Sequence, residues 1–518
     1  MAEREHRWIE SFELCHKALA LSPQDPDALN LLGRLCAVAA DLPRAIGLQR
    51  FVLKLAPSHA KAPHDLADAL AAVRSADDAR NAYDAAIAIE PDIACHHRLP
   101  GALNAFVGID RAEELLRRCV ELDASFAPAQ AALGNVLMRR RLIASAIEAY
   151  SIAVLLDWDC AEAHLGLAGL LELAHDDSAA LRHYGEAFAR KQVYVAPDRG
   201  AVRRVLVLKA PGKALYNTAL DFLINHARTA LHALYVAQDE ERLQALPPYD
   251  VLFCGLDESE SSDPCAQRCL RLIASDPTPV INHPRHLQKL RRSQLRATLA
   301  NVADCAVPFT IRTDRDGVGH LLASPDAAGL EYPLLIRPVD THRGDGLELL
   351  SSAADAASYL TRFADAHFNV SAFVDYGSAD GFYRKYRVVV VDGKPFAYHL
   401  GISEHWMIHY VTSPMAEHAW MRAEEERFLR DPESVFPAWN ATFGVIADAV
   451  GLDYFGVDCT RTFDDGILVF EAGPAMLVHC VDSAETFPYK YRYVPRIFDA
   501  VERLFDRAIS QQRRFARS

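Results

Sequence analysis

The sequence predicts a multidomain chain: an all-α array of repeated helical pairs, then a small α/β domain, then a larger α+β domain. Three observations predict it. A period of 34 residues runs through the first third, marked by Pro23, Pro57 and Pro91. Short apolar runs separated by turn residues follow from about residue 203. Two Asp-Gly turns, at Asp392-Gly393 and Asp465-Gly466, then join alternating apolar runs into hairpins.

Length and composition agree with this division. A chain of 518 residues is too long for one core and predicts three or four domains. Hydrophobic residues make up 51% and charged residues 24%, the balance of a globular protein in water. Lys+Arg 55 against Asp+Glu 69 gives −14, which argues against broad nucleic-acid binding or an anionic membrane surface, although a local basic channel stays open. The N-terminal MAEREHRWIESFELC has no apolar core of the signal-peptide kind, and no stretch approaches a membrane span. Eleven Cys without a CxxC pair fit reduced thiols, so a cytoplasmic location is expected. Cys95-His96-His97 has the look of a metal cluster but sits inside a helical repeat, where packing or surface placement is the better reading.

Residues 1–190 hold the array. Small residues recur where two helices must approach closely: Gly33, Ala67, Gly101, Gly134 and Ala168. A second series marks the following helix, with Ala79-Tyr83-Ala86, Ala146-Tyr150-Ala153 and Ala180-Tyr184-Ala187 in phase. This pattern resembles tetratricopeptide repeats, about five in number after a half-repeat at 6–22; the one at 93–126 is least regular and carries Pro100. Each helical pair cannot bury its apolar face alone, so neighbours stack into a superhelix. Such an array implies an extended peptide or protein partner on its concave face; a dimerisation or spacer role is the alternative.

A linker at 191–202, with Pro197 and Gly200, breaks the periodicity. Apolar runs at RRVLVLK, YDVLFCGL and TPVINHP then predict a small parallel α/β domain over 203–285, with helical stretches between the strands. Lys209-Ala210-Pro211-Gly212 closes the first strand and either lines a ligand crevice or is a plain turn.

The last domain, 286–515, carries the chemistry. In GLDYFGVDCTRTFDDGILVFEAG, Asp458 and Glu471 stand thirteen residues apart on either side of a DDG turn. Adjacent antiparallel strands can aim both carboxylates at one point, where hard oxygen ligands suit Mg²⁺ carried by a nucleotide triphosphate. The plain alternative is a surface hairpin with two solvated acids. Upstream come LQKLRRSQLRATL, YPLLIRPVDTHRGDGLELL, NVSAFVDYGS and FYRKYRVVVVDGKPFAYHLGIS, in that order.

This order resembles the ATP-grasp superfamily over about residues 200–510, and most closely a bacterial group that joins tetratricopeptide repeats to an ATP-grasp module. The resemblance makes 203–285 a pre-ATP-grasp domain and puts a lid subdomain at about 305–372. It implies ATP and Mg²⁺ as cofactors, with Asp458 and Glu471 as metal ligands. Arg292 would reach the phosphates, with Lys289 and Arg291 as neighbours able to trade places with it. Arg337, where Lys is more usual, would be the second phosphate contact, since guanidinium can hold phosphate oxygens bidentately. Gly344 and Gly346 would let the lid backbone approach a phosphate, with His342 in the same loop. Phe373, Val374 and Asp375 match the hinge that binds adenine and ribose. Arg387 would stand at the transferred phosphoryl group, with Lys385 on the same side of the strand. His399, followed by Ser403, His405, Trp406 and His409, would serve acceptor recognition or proton handling. One departure is plain: Gly473 stands where the family usually has a metal-ligating Asn, and His479 follows as a further polar group.

The implied activity is a carboxylate–amine ligase that activates a carboxylate as an acyl phosphate, on a peptide or protein presented by the repeats. The alternatives are an ATP-grasp phosphotransferase, or a repeat-based adaptor with a nucleotide-binding but catalytically weak module. No nucleic-acid or membrane partner is expected.

Overall fold

A computed structural model describes residues 2–39, 41–72, 76–89, 109–174, 176–195, 201–236, 245–341, 344–462 and 464–515. Cys95-His96-His97, Pro91, Pro100, Gly101 and His342 lie outside the described residues. The chain forms two compact units, one of residues 1–203 with 226–230, the other of 204–225 with 231–518. Among the described residues no helix is long and apolar enough to cross a membrane, and ten cysteines are free thiols.

The first unit is helical. It comprises α1 (Ala2–Leu21), α2 (Pro26–Val38), α3 (Leu42–Leu55), α4 (Ala62–Ala72), α5 (Ala76–Ile89), α6 (Ile109–Leu122), α7 (Ala127–Arg139), α8 (Ile143–Leu156), α9 (Ala161–Leu173) and α10 (Asp177–Arg190). Asp25, Asp41 and Asp176 cap helix N-termini by accepting backbone N–H groups, so the helices begin where these acids stand. The repeat's small positions let side chains of the next helix in. A Cβ on Gly33 would fall 2.6 Å from Gln49, and one on Gly134 would fall 2.7 Å from the Tyr150 ring. The recurring tyrosines each reach a polar partner on the preceding helix: Tyr83 donates to Asp68, Tyr150 to Asn135 and Tyr184 to Glu172. Buried Tyr hydroxyls need such partners. A two-residue strand, β1 (Val193–Tyr194), follows α10.

The second unit holds three sheets. The first contains β2 (Arg203–Lys209), β3 (Thr229–Tyr235), β4 (Val251–Cys254) and β5 (Val280–Ile281), in the order β3-β2-β4-β5. β2, β4 and β5 are parallel, and α11 (Asp263–Ala274) makes the crossover between the last two. Among its described residues, the stretch between β2 and β4, where helix was expected, contributes a strand and two 3₁₀ turns. Thr229–Tyr235 reads TALHALY, rich in helix formers, but it is buried on both faces and joins the sheet.

The second sheet, in order β7-β10-β8-β9, is formed by β7 (Thr310–Asp314), β8 (Leu334–Pro338), β9 (Glu348–Leu350) and β10 (His367–Ala372). It is antiparallel throughout. Helices α13 (Arg315–Ala323) and α14 (Ala353–Arg362) close a separate core over it around Tyr359 and Phe368.

The third sheet positions the site. β11 (Tyr383–Val391), β12 (Lys394–Ser403), β13 (Tyr454–Arg461), β14 (Ile467–Gly473) and the short β6 (Cys305–Ala306) run in the order β12-β11-β13-β14-β6. The first four are antiparallel, and β6 lies parallel to β14. Asp392 and Gly393 make the β11–β12 turn with φ of 54° and 72°, a conformation Asp tolerates and Gly prefers. Helices α15 (Ala419–Arg430) and α16 (Trp439–Val450) pack on β12, and α18 (Pro495–Phe515), preceded by α17 (Lys490–Tyr493), packs on β11. The basic segment expected as one helix is broken: a 3₁₀ stretch covers Pro284–Leu290, and α12 (Arg292–Thr298) starts afresh.

Candidate functional site

Asp458 on β13 pairs in register with Glu471 on β14, so two carboxylates start side by side. Arg387 on β11 is the register partner of Asp458 on its other side. The ladders are irregular at this point. Pairing shifts between Asp458 and Cys459 against β14, and between Arg387 and Val388 against β12. Bulges of this kind re-aim side chains and recur beside functional sites.

The acids are held by cations. Arg387 donates Nε to Asp458 Oδ1 at 2.6 Å and Nη2 to Oδ2 at 2.9 Å. Lys385, two residues earlier and on the same face, puts Nζ 3.2 Å from Oδ2. Asp458 is 1% exposed. Burial alone would raise its carboxyl, but Arg387 and then Lys385 override burial and hold it well below the usual range. Glu471 pairs with Arg292 Nη2. Burial opposes ionisation there too, and Arg292 more than offsets it, so Glu471 is also held low. Burial opposes the Arg387 charge, but the Asp458 carboxylate more than offsets it and leaves the guanidinium firmly charged.

The neighbours of Arg292 point elsewhere. Lys289 donates to the Ala449 carbonyl, and Arg291 donates to the Glu258 carbonyl and to Asp263. Of the three basic side chains, Arg292 alone pairs with a carboxylate of the β13–β14 pair.

Arg337 lies near the end of β8 on the second sheet, with Nε donating to Thr341 Oγ1 at 3.1 Å and Nη2 to the Thr341 carbonyl. Burial, followed by the nearby Arg292 cation, lowers it to about 9. A buried cation facing a second one is a place where an added anion is stabilising. Gly344 and Gly346 have φ of 76° and 62°. At these two positions the chain also runs close to its neighbours: a Cβ on Gly344 would lie 2.5 Å from His409 Nε2, and one on Gly346 would lie 2.6 Å from Pro338.

Phe373, Val374 and Asp375 leave β10 as extended chain without strand pairing. The Phe373 ring meets Trp406 edge-on at 5.6 Å. The Tyr376 hydroxyl donates to the Trp406 carbonyl, and its ring lies 4.8 Å from Phe470, the residue before Glu471. Val374 and Asp375 are exposed. Asp375 accepts the Gly377 N–H at 3.0 Å, a local turn contact.

His399 faces Arg387 across the β11–β12 ladder and is buried. Burial, then the Arg387 charge, push it well below the ordinary histidine range, so the ring is neutral. It stacks on Tyr410 at 4.5 Å. Tyr410 in turn donates to Glu425, a fully buried acid that also takes the Leu400 N–H, the Tyr489 hydroxyl and the Lys490 ammonium. Sequence reasoning missed this network, because nothing in local spacing links residues 399, 410, 425 and 490. His405 is exposed, while His409 lies against the lid loop. Lys209, at the edge of the first sheet, lies 4.0 Å from Asp221, and Gly212 turns with φ of 117° over the Tyr216 ring.

The structure therefore brings Arg292, Lys385, Arg387, Asp458 and Glu471 together on and beside the third sheet, with Arg337 near Arg292 and Glu471 from the second sheet. Cations outnumber acids, four to two, in this set. Such a cleft suits a polyphosphate. Among the described residues no three His, Cys, Asp or Glu side chains stand together as a metal group. Two carboxylates still fit Mg²⁺, which commonly takes one or two together with substrate phosphates and waters.

No protein-family profile matches the chain, and no curated protein does. Among solved structures, its N-terminal part is similar to YrrB, described as a TPR protein with an unusual peptide-binding site. That match has 18% identity and a TM-score of 0.29, over 34% of this chain and 92% of that one. The C-terminal region is similar to a RimK domain ATP-grasp protein from Sphaerobacter thermophilus, at 18% identity and TM-score 0.34, over 57% of this chain and 99% of that one. It is also similar to the D-alanine-D-alanine ligase from Coxiella burnetii, at 13% identity and TM-score 0.40, over 61% and 97%. The fold class has the expected outline: paired helices first, then a sheet with parallel strands, then two mainly antiparallel sheets flanked by helices.

Proposed function

We propose that the second unit is an ATP-dependent carboxylate–amine ligase. The observation that carries this reading is the ring of Arg292, Arg337, Lys385 and Arg387 around the paired carboxylates Asp458 and Glu471, beneath a glycine-bearing lid loop. In this reading Arg292 and Arg337 bind the nucleotide phosphates. Phe373, Val374 and Asp375, beside Trp406 and Tyr376, border the adenine and ribose. Asp458 and Glu471 would hold Mg²⁺, which supplies charge neutralisation on the phosphates when bound.

The γ-phosphoryl group passes from ATP to a substrate carboxylate oxygen, leaving ADP and an acyl phosphate. An amine then attacks the carbonyl carbon, and phosphate departs with the bonding electron pair as the amine loses a proton. Arg387 and Lys385 are fixed cations placed to offset charge on the transferred group. His399, neutral and buried beside Arg387, would serve acceptor recognition as a hydrogen-bonding group. The repeat array would hold a peptide or protein that carries one of the two reacting groups.

The test is release of ADP and phosphate from ATP and Mg²⁺ over a pool of carboxylates, amines and peptides, beside Asp458→Asn and Glu471→Gln. Release that needs both a carboxylate and an amine, and is lost in both variants, supports the ligase. A phosphorylated acceptor without phosphate release makes the protein a phosphotransferase. Gly473, which brings no oxygen ligand of its own, favours the adaptor reading, and nucleotide binding without turnover under every pair would establish that reading instead.

A further inference from the structure

Glu425 on α15 has no exposed surface, and its two oxygens do separate jobs around His399. Oε1 accepts the backbone N–H of Leu400, the residue after His399 on β12, at 3.2 Å. Oε2 accepts the Tyr410 hydroxyl at 3.0 Å, and the Tyr410 ring lies stacked on the imidazole, with 4.5 Å between centroids and 17° between planes. One carboxylate thus ties the strand that carries the imidazole to the ring that covers it.

A buried cation completes the support. Lys490 on α17 is 3% exposed and lies 3.7 Å from Glu425 Oε1 and 3.1 Å from Asp482 Oδ2. It also donates to the Tyr410 hydroxyl and stands 4.0 Å from the centre of that ring. Tyr489 adds a second hydroxyl to Oε2 at 2.5 Å. Burial raises the Glu425 carboxyl, and Lys490 is the chief influence against it. Taking two such groups out of water is costly, and apolar side chains of the same volume would serve stability as well or better. What a satisfied polar network adds is a single, rigid arrangement.

The strand needs that fixing here. β12 slips against β11 between the Arg387–His399 and Val388–Ala397 pairs, which leaves Tyr398 as an extra residue. A bulge re-aims the side chains beside it. His399 is at the same point the register partner of Arg387, whose guanidinium grips Asp458.

We propose that Glu425, Tyr410 and Lys490 are positioning residues that hold the His399 imidazole in one orientation beside Arg387, where it recognises the acceptor. The proposal rests on the ligase reading for what His399 recognises, but not for how the ring is held.

The test is the nuclear magnetic resonance signal of His399 in the full chain labelled with ¹³C at histidine Cε1, assigned by its loss in His399→Asn. A stacked aromatic ring displaces such a signal, so its position reports the Tyr410–His399 geometry. Glu425→Gln is expected to move it, alone and with Lys490→Met, which removes the buried ammonium as well. Tyr410→Phe keeps the ring and should move it less than Tyr410→Leu. The other histidine signals report folding, and Tyr410→Phe, which removes no charge, decides the matter if the charge variants unfold. A His399 signal at its wild-type position in the folded variants overturns the proposal. With the carboxylate and amine that drive ADP release in the wild type, the same variants should raise the acceptor KM by roughly 10-fold or more and leave the ATP KM unchanged. An unchanged acceptor KM beside a moved signal overturns the acceptor role of the ring. No ADP release from the wild type under any pair overturns the ligase reading, and the His399 signal still decides the positioning.

Discussion

Arg387 and Asp458 stand in register on adjacent antiparallel strands, and the guanidinium grips both oxygens of a carboxylate that is 1% exposed. A buried pair of this geometry is expensive to break and contributes little over an apolar pair of the same shape. Arg387→Met leaves Asp458 with Lys385 as its remaining cation partner and is expected to cost about 3–5 kcal/mol in urea unfolding at neutral pH. Adding Asp458→Leu to that variant recovers most of the loss. Arg387→Lys keeps the charge, loses the two-point grip, and falls between the two.

Arg292 behaves differently because it sits at the cleft wall. Its partner Glu471 is partly exposed. Losing a charge-assisted contact to phosphate costs about 1.5–3 kcal/mol, or about 10–100-fold in nucleotide affinity. Arg292→Gln is expected to weaken ATP by that factor in calorimetric titration, with thermal stability nearly unchanged. Lys289→Gln, whose wild-type ammonium meets the Ala449 carbonyl, is expected to leave ATP affinity as it is. Equal effects of the two would remove Arg292 from the phosphate site.

Much of this was legible in local pattern. Asp392-Gly393 between alternating runs sets both the hairpin and its register, because a two-residue turn with positive φ admits few registers. The recurring Gly, Ala and Tyr positions of the repeats were equally legible, since a fixed period reports itself. What stayed hidden is non-local. The bulge opposite Asp458 and Cys459 leaves Phe470 of β14 as an extra residue that alternation does not encode. TALHALY reads as helix, and only its burial in the sheet makes it β3. The carboxylates could be paired by spacing, but not their capture by Arg387 and Arg292.

Acid should loosen the second unit through its depressed histidines before Asp458 titrates. Burial first, then the Lys289 and Arg285 charges and neighbouring His283, lower His286 from 6.5 to about 4. His283 is lowered as well, by burial and Arg285. A folded pKa below the unfolded value means that the unfolded chain binds the proton first. Stability is therefore full above pH 6.5 and declines as pH falls toward 4. Asp458, held low by Arg387, loses its contribution only below about pH 4, where its unfolded counterpart titrates. Urea midpoints between pH 7.5 and 4.5 should fall steadily in the wild type. His286→Gln, which can still accept from Arg285, should flatten that slope; an unchanged slope would assign it to other groups.

Tyr150 decides the packing of the central repeats. It is fully buried, its hydroxyl donates to Asn135 on α7 at 2.6 Å, and two glycines make room for its ring. A Cβ on Gly134 would fall 2.7 Å from the ring, and one on Gly166 of α9 would fall 2.3 Å from Cζ. The ring is thus wedged between the helices before and after its own, with the apolar cluster of Leu133, Val136, Leu167 and Leu170 around it. Gly166→Ala raises helix propensity by about 1 kcal/mol, yet overpacking a filled core costs about 1–3 kcal/mol. The clash involves a large ring with no free rotamer to take, so destabilisation should win. Calorimetry of the full chain is expected to show the repeat transition move down in temperature while nucleotide affinity of the second unit is unchanged. Tyr150→Phe in the Gly166→Ala background keeps the ring and therefore the clash, whereas Tyr150→Leu in that background relieves it. Rescue by Leu and not by Phe would separate ring sterics from the lost hydroxyl bond to Asn135.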